Sequence, residues 1–218
     1  MRKLFNSYTN IVIAVNVLFF VGFFIAALSF GVLDSPVKME SLMGQIALNP
    51  LLFLSGKIWT LITSMFMHAS FGHLLVNMIS LAFVGNFVEK LIGRKRFIWL
   101  YFGAGIGAGL MFVLIAHLTG NDLNVYAVGA SGAIFGLGGL LALLTPRLPV
   151  LVFFILPMPM WLAMVFLLGV LWFFSLTLNL PVGNIAHLGG LLVGVGYGAY
   201  LKYKYPKKTQ MIARYFSK

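Results

Sequence analysis

Cysteine is absent from the chain, which removes disulfides, thiolate metal sites and a cysteine nucleophile in one step. Acid is scarce: Asp and Glu together number 4 in 218 residues, against 15 Lys and Arg. The only aspartates, Asp34 and Asp122, fall outside the long apolar stretches, so an aspartyl mechanism has no carboxylate pair to use. No His-Glu-x-x-His occurs, which removes the usual zinc-dependent route. Charged residues make up 9% of the chain and hydrophobic ones 61%, too little polar surface to clothe a water-soluble domain of this size, so the expected solvent is a lipid bilayer. A net charge of +11 would point to nucleic acid in a soluble chain. Here the basic residues gather in short segments between apolar runs, a pattern that reads as membrane topology.

What is present is apolar length. A helix needs about 20 apolar residues to cross the hydrocarbon region, and the sequence offers six such stretches, near 11–33, 70–90, 98–118, 126–145, 150–175 and 185–203. The first follows Arg2 and Lys3 and is too long for a signal-peptide core of roughly 7–15 residues, so it is read as a retained span. The segment 45–67 is also apolar, but Asn49-Pro50, Gly56 and Lys57 cut it into short pieces suited to an interfacial or re-entrant loop.

Charge supports this count. With the N-terminus inside, the inner segments hold Arg2, Lys3, Lys90, Arg94, Lys95, Arg96, Arg147, Lys202, Lys204, Lys207, Lys208, Arg214 and Lys218, leaving only Lys38 and Lys57 outside. An even number of spans with both termini cytoplasmic is therefore expected, in one membrane domain over 1–218. The basic tail 204–218 is read as an anchor to anionic headgroups, with a lipid-specific site as the alternative. The short chain without a targeting extension suggests a prokaryotic plasma membrane.

Polar side chains inside a span require a partner or a function, and few are present. The second, fourth and sixth stretches all enter from the outer face, and each carries its polar residues within the first two turns: His73 and Asn77, Ser131, and His187. At about 1.5 Å per residue these groups lie at similar depth. A common site opening outwards would require that.

Ser131 stands in Val128-Gly129-Ala130-Ser131-Gly132-Ala133-Ile134-Phe135-Gly136. Small neighbours permit close helix approach and leave room for a substrate backbone, yet this motif alone fits helix packing better than catalysis. His187 heads a helix whose Gly190 and Gly194 form a smooth face that can pack on the glycines around Ser131. That packing would let a neutral imidazole take the hydroxyl proton; a histidine satisfied by a backbone carbonyl is the bland alternative. His73 and Asn77, at i and i+4, share a face, and with the Ser131 N–H they can hold the oxyanion of a tetrahedral intermediate. Metal binding is the rival for this pair, but two histidines with no carboxylate nearby are too few ligands, and no metal or cofactor is expected. His117 has no partner in sequence and receives no role. Glu89 beside Lys90 is read as an ion pair or a loop cap.

Together these residues resemble the rhomboid family of intramembrane serine proteases. Its hallmarks are Gly-x-Ser-Gly on the fourth span, Ala-His with spaced glycines on the sixth and His-x4-His-x3-Asn on the second; they match Gly129 to Gly132, Ala186 to Gly194 and His68 to Asn77. The resemblance implies an all-α, six-transmembrane-helix bundle with a membrane-submerged lateral loop at 34–66. It implies a Ser131–His187 dyad without an aspartate, an oxyanion site of His73, Asn77 and Ser131, a structural His68, and a cap around 176–184 with Pro181. Two departures stand out: Trp59-Thr60 replaces the family's Trp-Arg, and Phe135 replaces a common tyrosine while keeping a ring to pack on His187. The implied activity is cleavage of peptide bonds in or next to transmembrane helices of membrane-protein substrates, with Gly, Pro or small residues near the cut. A non-catalytic binder of membrane helices with the same fold is the alternative. A transporter comes third, since no polar stripe runs through all depths.

Overall fold

The computed structural model describes residues 7–153, 155–178 and 183–216. The chain is predominantly helical. Helix α1 (Tyr8–Ser29) is followed by three short helices, α2 (Pro36–Ile46), α3 (Pro50–Leu54) and α4 (Thr60–Thr63). Then α5 (Phe71–Ser80) continues through a π-helical turn at Leu81–Gly85 into α6 (Asn86–Ile92), and α7 (Arg94–Thr119) returns. After α8 (Ser131–Leu144) come two strands, β1 (Pro149–Val152) and β2 (Leu156–Pro159), and then α9 (Met160–Leu178), α10 (Asn184–Lys204) and α11 (Pro206–Tyr215).

The breaks have local causes. Ser7, Ser35, Asn49 and Ser70 each accept a backbone N–H from the first turn of the helix that follows, and Pro36 and Pro50 sit where a missing N–H is harmless. Gly120, at φ +71, ends α7 in the left-handed region.

Among the described residues four helical segments are long and apolar enough to cross a membrane: Tyr8–Ser29, Phe71–Ile92, Arg94–Thr119 and Met160–Thr177. Helix α8 has 14 residues and packs chiefly on α10 and α7; most of its side chains are buried. A helix walled off from lipid by its neighbours need not be long enough to span alone.

Two boundaries differ from the sequence expectation. The fourth helix begins at Ser131 and not near 126, because Ala127 pairs with Leu48 in an isolated bridge, with N–H to O distances of 2.8 and 3.0 Å. The fifth begins at Met160 and not near 150. Strands β1 and β2 instead pair antiparallel, with Pro149 opposite Pro159 and Leu151 opposite Pro157, since prolines at this density cannot continue a helix. The bundle thus carries one small two-stranded element beside its helices. The expected cap at 176–184 falls partly on 179–182, which lie outside the described residues, as do Arg2, Lys3 and Lys218.

The segment between α1 and α5 is braced without an arginine. Trp59 Nε1 donates to the Gln45 carbonyl at 2.9 Å, Lys57 Nζ to Gly44 at 3.0 Å and Thr63 Oγ1 to Ile46 at 2.7 Å. Three side chains of the α3–α4 region thus hold the last turn of α2. Thr60, where the family pattern has arginine, is fully buried and donates to the Lys57 carbonyl at 2.6 Å.

At the opposite end of the chain's first half, Glu89 on α6 caps α1. Its carboxylate accepts from Ser7 Oγ (2.8 Å), Tyr8 N (3.0 Å), Thr9 N (2.8 Å) and Thr9 Oγ1 (2.7 Å), with Arg94 Nε 3.6 Å away. A negative charge at a helix N-terminus satisfies free N–H groups and the helix dipole together.

Candidate active site

Ser131 is the first residue of α8, and the two residues before it are each held by the segment 64–68. Gly129 takes φ +117, a conformation L side chains rarely adopt, and donates its N–H to Ser64 O at 2.8 Å. The Ala130 N–H points at His68 Nε2, 3.5 Å away, while His68 Nδ1 lies 3.2 Å from Phe66 O. A carbonyl can only accept, so the proton sits on Nδ1 and Nε2 is free to accept from Ala130. Burial, and then the neighbouring His73, push the His68 pKa down to about 4. Neutral His68 thus ties the loop to the residue next to Ser131.

His187 lies in the first turn of α10, its N–H bonded to Gly183 O at 3.0 Å. Glycines decide how closely its helix approaches α8. A methyl at Gly190 would collide with the carbonyl of Gly132, and one at Gly194 with that of Gly136. Helix α7 closes the third side: a Cβ on Gly132 would come within 2.6 Å of the Ala108 methyl, and one on Gly189 within 3.1 Å of the Ala108 Cα. Small residues on three helices therefore permit backbone contact, as the spacing in the sequence suggested.

At that separation the Ser131 Oγ and His187 Nε2 are 2.7 Å apart, within hydrogen-bonding range. Phe135, one turn along α8, stacks on the imidazole at 4.7 Å between centroids and 26° between planes. The ring is held between its own helix and an aromatic plate, which limits its rotation.

His73 and Asn77 reach the same place from α5. A Cβ on Gly129 would lie 2.9 Å from His73 Nε2 and 3.8 Å from Asn77 Nδ2, so only glycine leaves room for them beside the residue two before the serine. His68 and His73 meet edge to face at 5.1 Å. Asn77 Nδ2 spends one hydrogen on His73 O at 2.9 Å, and a primary amide has a second to offer. The first-turn amides of α8, starting at Ser131, have no acceptor inside their own helix.

The sequence-predicted residues Ser131, His187, His73, Asn77, Gly129, Gly132, Phe135, His68 and Gly190 thus lie near the start of α8 and the facing part of α10, while Gly194 packs on Gly136 one turn deeper. His117 stays apart, exposed near the end of α7. Sequence reasoning missed two contributors. Ser64 anchors Gly129 through a main-chain carbonyl, which leaves no trace in side-chain chemistry. Asn184 sits one turn before His187 with its Oδ1 buried, and a polar residue heading the helix that carries the histidine is the available signal.

The comparisons with known proteins agree on kinship. Residues 55–204, well over half of the chain, match the model of the rhomboid domain. The chain is 32% identical over 161 residues to Rhomboid protein 1, mitochondrial, of Saccharomyces cerevisiae, covering 72% of this chain and 46% of that protein. It is 40% identical over 85 residues to the putative rhomboid protease YdcA of Bacillus subtilis, covering 39% and 40%, and 34% identical over 137 residues to the rhomboid protease GluP of the same organism, covering 62% and 24%. The chain spans less than half the length of each of these relatives. They are mitochondrial as well as bacterial, so the expected prokaryotic plasma membrane draws no support from them. With apolar helices of spanning length and a rhomboid domain over most of its residues, this integral membrane protein belongs to the rhomboid family, which includes serine intramembrane proteases.

Proposed function

We propose that the chain is an intramembrane serine endopeptidase that cuts peptide bonds in or next to the transmembrane helices of membrane-protein substrates. The observation that carries this reading is the 2.7 Å approach of Ser131 Oγ to His187 Nε2. His187, neutral, accepts the Ser131 proton as Oγ attacks the scissile carbonyl carbon. The carbonyl oxygen becomes an oxyanion facing His73, Asn77 and the Ser131 N–H. His187 then passes the proton to the leaving amine, which departs and leaves an acyl-enzyme on Ser131. Water attacks that ester, giving its proton to Nε2, and the second product leaves with Oγ reprotonated.

A helical carbonyl is already hydrogen-bonded and shielded, so the bond to be cut must first leave its helix. Gly, Pro and small residues near the cut make that easier.

The topology belongs to the same proposal. All of 1–218 forms one domain of six spans, with the short α8 enclosed by its neighbours and both termini on the basic, cytoplasmic side. The α2–α4 region forms the partly submerged lateral loop over 34–66, and 204–218 an anchor to anionic headgroups.

Fluorophosphonate labelling tests the site directly. The wild-type protein in detergent is expected to take up the probe at Ser131, mapped by peptide mass, with labelling strongly reduced in His187→Ala. A folded wild-type protein that stays unlabelled, yet binds transmembrane helices, would turn the reading to the non-catalytic binder.

A further inference from the structure

Three of the four segments of spanning length meet at one cavity. It is lined by Tyr8, which begins α1, by Ile92 and Gly93 at the end of α6, and by Arg94, Lys95 and Arg96, which open α7. Its volume is about 430 Å³, within the roughly 300–1,000 Å³ of small-ligand sites. A place where apolar spans begin and end is level with the headgroups of a bilayer.

The lining is divided as a phospholipid is. Three cationic side chains offer donors to a phosphate, with the Tyr8 hydroxyl as a further one, while the Tyr8 ring and Ile92 form an apolar wall. Arg94, Lys95 and Arg96 are all exposed. Trp99, one turn after Lys95 and on the same face of α7, is 78% exposed; an indole on the surface of a spanning helix near its end marks the lipid side of the interface. Arg96 ties the end of α10 to this level, donating to the Tyr205 hydroxyl at 3.2 Å and lying 5.2 Å over its ring. Glu89, 3.6 Å from Arg94 Nε, does not line the cavity and spends its carboxylate on the start of α1. Among the described residues neither Lys95 nor Arg96 forms an ion pair with a carboxylate.

We propose that this cavity holds the phosphate of an anionic glycerophospholipid from the inner leaflet. Arg94, Lys95 and Arg96 surround the headgroup, and the acyl chains follow the exposed face of α7 that carries Trp99. Basic pockets between spans on the cytoplasmic side recognise such headgroups. The proposal takes from the topology above only that this end faces the inner leaflet, and it is independent of the Ser131–His187 chemistry.

The test measures lipid retained by the purified protein in neutral maltoside micelles, by native mass spectrometry during titration with dioleoyl phosphatidylglycerol or dioleoyl phosphatidylcholine. Wild type is expected to bind one phosphatidylglycerol more tightly than those that follow, and phosphatidylcholine without that first step. Affinity for the first lipid is expected to fall roughly fivefold in Lys95→Gln, which leaves Arg94 and Glu89 in place, and roughly twenty-five-fold in Arg94→Gln/Lys95→Gln. Lys207→Gln/Lys208→Gln removes two exposed charges from α11 and is expected to weaken only the later, looser additions. Wild-type affinity for the first lipid in both cavity variants would overturn the proposal, and so would an equal loss in the α11 variant, which would assign the attraction to the diffuse field of the inner surface. Inorganic phosphate lacks the apolar part that Tyr8 and Ile92 meet and is expected not to displace the lipid; displacement would make this a site for free phosphate and overturn the lipid assignment. Micelles have no sides, so an inverted topology leaves these results unchanged, and cleavage is not read at all.

Discussion

The carbonyl oxygen of Gly132 lies against Gly190 with no room between them for a methyl group. Gly132 follows Ser131 and Gly190 comes three residues after His187, so this backbone contact sets the helix separation on which the 2.7 Å serine–histidine approach depends. The same arrangement recurs one turn deeper between Gly136 and Gly194.

Gly190→Ala and Gly194→Ala are therefore expected to push α8 and α10 apart. Overpacking typically destabilises by about 1–3 kcal/mol, and the obstacle here is main chain, which yields less than a side chain, so the upper end applies. A displacement near 1 Å lowers catalysis by about a hundredfold. Thermal unfolding in detergent and cleavage rate check both effects; wild-type values for Gly194→Ala would show that the contact does not set the geometry.

Glu89 and Arg94 separate a hydrogen-bonded carboxylate from an exposed ion pair. Glu89 accepts from four donors at the start of α1, and Glu89→Gln replaces a charged acceptor with a weaker one, an expected loss of roughly 2–3 kcal/mol. Arg94 is 53% exposed and stands 3.6 Å away, so Arg94→Gln is expected to change stability by less than about 1 kcal/mol. Equal losses in the two variants would mean that the ion pair, and not the helix cap, holds α1.

The His68 ring accepts from one backbone N–H and donates to one carbonyl, so protonation would turn Nε2 into a donor facing a donor. Its folded pKa is about 4, against 6.5 for the ordinary group. Below pH 6.5 the unfolded chain binds a proton that the folded protein refuses, so this contribution is complete above that pH and is lost progressively down to about pH 4. At roughly 1.4 kcal/mol per pH unit, the loss approaches about 3 kcal/mol. The melting temperature is expected to fall over this window, with a shallower slope in His68→Gln; parallel slopes would remove His68 from the account.

Lacking cysteine, the chain suits single-cysteine labelling of its topology. Lys38→Cys is expected to react with a membrane-impermeant maleimide from the outer side, and Lys208→Cys only after the membrane is opened. Reaction of both from one side would reverse the positive-inside assignment.

Much of this site is legible in the sequence because its chemistry is carried by rare residues. In a chain this apolar, Ser131, His187, His73 and Asn77 stand out, and Gly190 and Gly194 announce a close helix contact by their spacing alone. The start of α8 is less legible. It is set by the pairing of Ala127 with Leu48 and by the bond from Gly129 to Ser64, contacts between backbones far apart in sequence that hydropathy does not register. The pairing of β1 with β2 is hidden for another reason: Val150, Leu151, Val152 and Met158 are as apolar as any span, and only the prolines around them forbid a helix. The cap on α1 was half visible, since Glu89 was conspicuous as an acid but its partners lie eighty residues away.

The central claim is a proton shared between Ser131 and His187 during peptide cleavage. Purified protein reconstituted with a panel of single-span helices, with products mapped by mass, tests it most directly. The account predicts one defined cut in or beside the membrane-spanning segment of a susceptible helix, absent from Ser131→Ala and His187→Ala proteins that remain folded. The same cut made by either variant would contradict it.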